Sequence, residues 1–286
     1  MNQLQTQTDT SDIITVIIAA RNEEALITAC LTALLTQSDA AGPVEVIVAA
    51  NACTDQTVNV AQQQTQAFAD KGWSLVVLDL ADGGKLGALN AADAQARGGC
   101  RIYLDADVIC SPELLGQIRQ VLRNDAGLYA TGTLVVAPAQ TWVTRAYARI
   151  WTQLPFVKSG AVGAGFFAVN AAGRARWGAF PDIISDDTFV RLNFTPAERV
   201  EVPATYIWPM VEGFGNLVRV RRRQDIGVAE IAQKYPGLIE NEGKARLRKQ
   251  DLLSMALRMP MAFAVYMSVH VMVRMGRQSK EWTRGR

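Results

Sequence analysis

One pattern recurs four times in the first 122 residues: a short β-branched run, a polar loop, then apolar residues at helical spacing. Ile13 to Ala19 (IITVIIA) is continuously apolar, the mark of a strand buried on both faces. Glu23 to Leu35 then carries Leu26, Ile27, Cys30, Leu31, Leu34 and Leu35 at helical spacing. Val44 to Ala49 and Thr54 to Ala69 form the second pair, and Ser74 to Leu80 and Leu86 to Arg97 the third. Arg101 to Leu104 is the fourth strand, followed by a helix from Pro112 to Leu122 with proline in its first turn. Strands alternating with helices predict an α/β fold: a Rossmann-like, mostly parallel sheet, right-handed crossovers, and helices on both faces. A chain of 286 residues, 49% of them hydrophobic, can bury such a core.

In sheets of this kind ligands bind beyond the carboxyl ends of the strands. Four loops meet there: AARNEE, ANACTD, ADGGK and DAD. They carry Arg21, Asn22, Glu23, Asn51, Asp55, Lys85, Asp105 and Asp107. Helix capping would account for Thr54 or Asp55. It does not account for a lysine among glycines, or for two aspartates at one strand tip, where like charges repel and burial is costly. Residues i and i+2 of an extended segment share a side, so Asp105 and Asp107 can face one polar pocket. Their hard oxygens suit Mg²⁺ or Mn²⁺.

The second half is less regular. Leu128 to Val136 reads as a strand, and Gly160 to Val169 (GAVGAGFFAV) as a glycine-punctuated turn entering another. Asp186 and Asp187 precede a short helix from Thr188 to Phe194, where the helix dipole alone would favour them. Met259 to Val273 is apolar but shorter than the roughly 20 residues a spanning helix needs. It reads either as a core helix or as one lying in a membrane interface, with Arg274, Arg277 and Lys280 at the headgroups. On that helix His270, the only histidine, reads as a packed residue.

A formal net charge of +2 makes no case for nucleic acid, although the last third is basic: Arg219, Arg221, Arg222, Arg223, Lys244, Arg246, Arg248 and Lys249. Four cysteines without a C-x-x-C pair read as thiols in a reducing compartment. Residues 1–12 are polar with no apolar core, so a disordered tail and a cytoplasmic location are expected.

Taken in order, ARNEE, ANACTD, GGKLGALNAA, YLDADV and ISDD resemble the family-2 glycosyltransferases of the GT-A fold, from about Ile13 to Gly227. The resemblance implies an inverting enzyme that uses a nucleotide-diphospho-sugar, with a catalytic region at 13–230 and a C-terminal helical extension at 231–286. It implies that Ala20, Arg21, Asn22 and Glu23 hold the nucleoside, and that Asn51 reads the base where many relatives have aspartate. Lys85 and Ala106 fall near the nucleotide, Asp105 near the ribose, and Asp107 on a divalent metal, Mn²⁺ or Mg²⁺. Asp187 falls on the general base, with Asp186 as the fallback, where the family usually shows Glu-Asp. LVRVRRRQDIG lacks the tryptophan of processive members, so a single transfer is expected, with Arg222 or Arg223 at the diphosphate. The donor implied is a UDP-sugar. The acceptor is a sugar or a lipid-linked molecule of polysaccharide or glycolipid assembly, at the inner face of the plasma membrane. The alternatives are a nucleotidyltransferase, disfavoured because no glycine-rich basic loop follows the first strand, and a non-catalytic nucleotide-sugar-binding relative. A dinucleotide-binding dehydrogenase lacks its G-x-G-x-x-G.

Overall fold

The computed structural model describes residues 12–159, 161–243, 245 and 247–275. The expected tail, apart from Asp12, lies outside these residues, as do Gly160, Lys244, Arg246, Arg277 and Lys280. One eight-stranded sheet organises the chain: β1 (Ile14–Ala20), β2 (Val44–Asn51), β3 (Ser74–Leu80), β4 (Cys100–Asp105), β5 (Ile109–Cys110), β6 (Tyr129–Val136), β7 (Phe166–Asn170) and β8 (Arg199–Trp208). Its order is β3-β2-β1-β4-β7-β6-β8-β5. The expected parallel half is present: β2 and β4 flank β1 in parallel, and β3 pairs with β2. Beyond β4 the sheet is mixed, with β7 antiparallel to both β4 and β6 and with β6 parallel to β8.

The helices are α1 (Ile27–Leu35), α2 (Thr57–Gln62), α3 (Thr65–Asp70), α4 (Lys85–Gln95), α5 (Leu114–Leu122), α6 (Trp142–Trp151), α7 (Pro155–Ser159), α8 (Ala171–Arg174), α9 (Asp186–Leu192), α10 (Phe214–Lys234), α11 (Lys249–Arg258) and α12 (Pro260–Met275). The single helix expected over 54–69 is two short ones. The apolar stretch expected from Met259 forms α12, parted from α11 at Met259, before Pro260, whose missing N–H cannot continue the preceding helix.

Alternate residues of β1 serve opposite faces of the sheet. Ile14, Val16 and Ile18 pack with α1 and α5 on one side, while Ile17 packs with α4, Tyr103, Phe167 and α9 on the other. A third cluster joins α6, α10 and α12 through Tyr147, Trp151, Leu217, Val218, Val269 and Val273. Trp208 at the end of β8 stacks on Trp151 at 5.6 Å, which fastens this helical layer to the sheet. α10 runs across residue 230, where the expected catalytic region ends.

β8 was not legible in the sequence because Pro203 interrupts it. The β6–β8 register jumps from Gly132↔Val202 to Thr133↔Thr205, so the proline occupies an irregularity that needs no ladder N–H.

Candidate active site

Three loops bind one another before any side chain reaches the cleft. Asn51, at the end of β2, is 4% exposed. Its Nδ2 donates to the Ala20 carbonyl at 3.0 Å and its Oδ1 accepts from Gly84 N at 3.1 Å. One amide therefore ties the ends of β1 and β2 to the loop that carries Lys85. Asn22 adopts a left-handed φ of 53°, which asparagine tolerates better than most residues. Its Oδ1 accepts from Thr54 N at 2.8 Å. Asp55 accepts from Thr57 N at 3.0 Å and from Glu24 N at 3.3 Å, so capping does explain it.

Lys85 opens α4 and bridges two carboxylates: Asp105 Oδ1 at 3.0 Å and Asp186 Oδ2 at 3.1 Å. A lysine thus stands between two of the acidic residues. Burial disfavours the Lys85 ammonium, but Asp105, Asp186 and Asp187 outweigh it and raise its pKa. This bridge also spans the chain, since Asp105 ends β4 and Asp186 opens α9.

Asp105 and Asp107 both line the cleft, by a different route from the one expected. Residues 106 and 107 form a turn, closed by Val108 N donating to the Asp105 carbonyl at 3.1 Å. Buried Ala106 sits at its apex. The glycine-punctuated segment packs against this turn: Gly165 O accepts from Asp105 N at 2.8 Å. At φ +72°, a Cβ on Gly165 would meet Trp208 and Val108 at 2.9 Å and the Asp105 carboxylate at 3.3 Å. Only glycine lets the backbone come so close.

The two acidic residues at the start of α9 have different surroundings. Asp186 is 7% exposed, lines the cleft and is held by Lys85. Asp187 is half-buried and accepts from Thr188 N at 2.6 Å. Burial first, then the Asp186 charge, raises the Asp187 pKa, with Lys85 opposing.

Sequence reasoning missed α10 as the cleft's far wall. Its Asn216, Val220, Arg223, Ile226 and Glu230 follow helical spacing along that wall. Glu230 Oε2 accepts from Ile184 N at 2.9 Å, and Gly227 lets the helix approach Ser185 so closely that a Cβ would collide with Ser185 Oγ. The LVRVRRRQDIG stretch was a usable signal for Arg222 and Arg223, which both line the cleft. Arg222 donates to the Val273 carbonyl at 3.3 Å and to that of Met272, so it also secures the end of α12. Ala137 to Gln140, Phe180, Asp182, Ile183 and Trp208 to Glu212 also contribute to the walls and were unmarked in sequence. The cleft measures about 2150 Å³ and takes in Arg21, Glu23, Asn51, Lys85, Asp105, Ala106, Asp107 and Asp186. Ala20, Asn22 and Asp187 are not among the side chains lining it. Among the described residues no group of three or more His, Cys, Asp or Glu is placed to hold a metal.

A model of the family described as Glycosyl transferase family 2 matches residues 15–176, more than half the chain. The protein belongs to glycosyl transferase family 2. The family match takes in Asn51, Lys85, Asp105 and Asp107 and ends before Asp186. No curated protein matches the chain. Among solved structures it is similar to a mannosyltransferase, PcManGT from Pyrobaculum calidifontis, in complex with GDP-Man and Mn²⁺, with TM-score 0.58 and 19% identity over 93% of this chain and 76% of that one. It is also similar to S. aureus TarS 1-349 in complex with UDP, with TM-score 0.54 and 15% identity over 95% and 94%. Glucosyl-3-phosphoglycerate synthase from Mycobacterium tuberculosis, with Mn²⁺, UDP and phosphoglyceric acid, has TM-score 0.50 and 20% identity over 77% and 78%. At these identities the likeness is one of fold: the GT-A arrangement of mixed sheet, flanking helices and C-terminal helix.

Proposed function

We propose that this cleft transfers one sugar from a nucleotide-diphospho-sugar, of the UDP class, to an acceptor hydroxyl with inversion at the sugar carbon. The observation that carries this reading is Lys85 held between Asp105 and Asp186 at the convergence of β1, β2, β4 and α9. Its ammonium and the N-terminus of α4 coincide, a combination suited to a diphosphate. Ala20, Arg21, Asn22, Glu23 and Asn51 surround the nucleoside position, Asn22 and Asn51 by holding the loops and Arg21 and Glu23 from the cleft wall. Arg222 and Arg223 face the diphosphate from α10.

The donor set fits a divalent cation of the Mn²⁺ or Mg²⁺ kind. Such ions are commonly held by one or two carboxylates, with substrate phosphates completing the shell. Asp107 would hold the ion, with Asp105 beside it, and the ion would neutralise charge on the departing diphosphate. The similar PcManGT and glucosyl-3-phosphoglycerate synthase structures contain Mn²⁺, which supports the reading.

Asp186 and Asp187 divide the remaining work. Lys85 fixes Asp186 in place, whereas Asp187 has a raised pKa and no such bridge. Asp187 takes the acceptor proton as the hydroxyl attacks opposite the diphosphate. The acceptor is a sugar or a lipid-linked molecule of cell-surface polysaccharide or glycolipid assembly, and the protein works at the cytoplasmic face of the membrane. Residues 13–230 form the catalytic region, with 231–286 as a helical extension.

Calorimetric titration with UDP and with GDP, each with Mn²⁺ and with EDTA, tests the donor site. Mn²⁺-dependent UDP binding is expected. Binding of neither nucleotide overturns the proposal, and GDP preference would reassign the base.

A further inference from the structure

The chain's charge is strongly divided. From Lys244 to Arg286 there are ten basic and two acidic residues, a net +8, so the preceding 243 residues carry −6 against the whole-chain value of +2. The same C-terminal stretch presents apolar side chains to solvent: Leu253 is 61% exposed, Leu257 and Met261 74%, and Met275 75%. Val271 and Met272 continue the exposed face.

These residues follow helical periodicity. On α11, Leu253 and Leu257 lie four apart, opposite buried Met255. On α12, Met261, Val271, Met272 and Met275 fall between buried Ala262, Val269 and Val273. Met255 and Ala262 pack together with Ile150, so both helices anchor on one cluster and leave their outer sides bare. Arg258 and Arg274, both exposed, lie among these apolar side chains, with Arg248 and Lys249 at the start of α11. No helix among the described residues is long and apolar enough to cross a membrane. At 16 residues α12 is about 24 Å long, short of the ~30 Å hydrocarbon core.

We infer that the outer face of α11 and α12 docks on an anionic lipid bilayer, lying in its interface. A solvent-exposed apolar stripe with basic residues along it matches a surface that offers both hydrocarbon and negative charge. A binding surface for another protein would explain the exposed leucines and methionines but not the concentration of positive charge in a chain that is otherwise acidic. The end of α12 supplies a functional reason. Val273 and Arg274 line the cleft, and Val271, Met272 and Met275 neighbour them on the outer face. The cleft therefore extends to the docking face, where the hydroxyl of a lipid-borne acceptor can enter it beside Asp186 without leaving the bilayer surface. This last point rests on the transferase reading; the docking itself does not.

Vesicle co-sedimentation of the full chain tests the inference, using phosphatidylcholine vesicles with and without phosphatidylglycerol. The chain is expected to sediment with the anionic vesicles and to be released by high salt. Leu257→Glu with Met261→Glu should lower partitioning by at least tenfold, since each buried side chain of this size contributes roughly tenfold or more. Arg258→Glu should weaken it and flatten the salt dependence. All three positions are exposed, so unchanged UDP titration will show that the variants have kept their fold. A chain that stays in the supernatant with anionic vesicles, or that binds both vesicle types alike, overturns the inference. So does a dimer in solution that the double variant splits. Failure of UDP binding with vesicle binding intact would remove the transferase reading and leave the docking surface standing.

Discussion

Asn51 illustrates how far a residue's identity can mislead until its neighbours are known. The family resemblance implies that it reads the base, yet in the folded chain its amide is spent on Ala20 O and Gly84 N. Aspartate, the common residue of relatives, could accept from Gly84 but could not donate to Ala20. Asn51→Asp should therefore lower stability by about 1–3 kcal/mol, the usual cost of a buried group left unpaired, as read by thermal melting. Asp187 makes the complementary case. On its proposed role as general base, its loss in Asp187→Asn should reduce turnover about 10²–10⁴-fold while UDP affinity stays near normal. Its raised pKa also has a stability sign. The folded state holds the proton more tightly than the unfolded chain, so stability falls as pH rises from the ordinary carboxylate value through the raised one. Above that window the ionised carboxylate is a standing cost. Asp187→Asn should thus melt higher than the parent at neutral pH, with the gap closing below about pH 4. Equal melting at neutral pH would mean that burial does not strain this group.

Among the elements, α10 is the one that shapes the site without advertising it. Its sequence is charged and interrupted by glycine, and nothing in its composition places it against α9. Gly227 does so, because a side chain there would collide with Ser185 immediately before Asp186. Gly227→Ala should cost about 1–3 kcal/mol as an overpacked contact and lower turnover by moving Asp186 and Asp187. Ser185→Gly in the same chain should restore most of both, a coupling that a double-mutant cycle measures. Additive effects would show that the contact is not what positions α9. The elements that were legible, β1 to β4 and the helices between them, share one property. Each is buried by neighbours close in sequence, so its apolar pattern follows directly from local geometry. β8, with Pro203, and β5, with two residues, have no such pattern; β8 exists only because β6 offers it a partner, and β5 because β8 does.

Across the whole molecule, the third hydrophobic cluster settles what the C-terminal apolar stretch is for. Val269 and Val273 of α12 fill a core with Tyr147, Trp151, Leu217 and Val218. Truncation after Lys249 should expose that core and yield an aggregating product, with UDP binding lost alongside solubility. A truncated chain that stays folded would return α12 to the role of a detachable accessory. The inner face of α12 is thus part of the core, as one reading of the sequence expects, and its outer face is bare, the side on which docking is proposed.

The alternation of buried strands and amphipathic helices was enough to specify the parallel half of the sheet and the edge on which its functional loops gather. The positions of Arg21, Lys85, Asp105 and Asp107 on that edge follow from it, because a strand's end is a local property. What joins them to Asp186 is not local. Lys85 and Asp186 are a hundred residues apart, and their 3.1 Å contact exists because β4, β7 and α10 bring α9 to the tip of β4. Charge type can be read along a chain, but the distance between charges is set by packing, and the chemistry of the cleft depends on that distance.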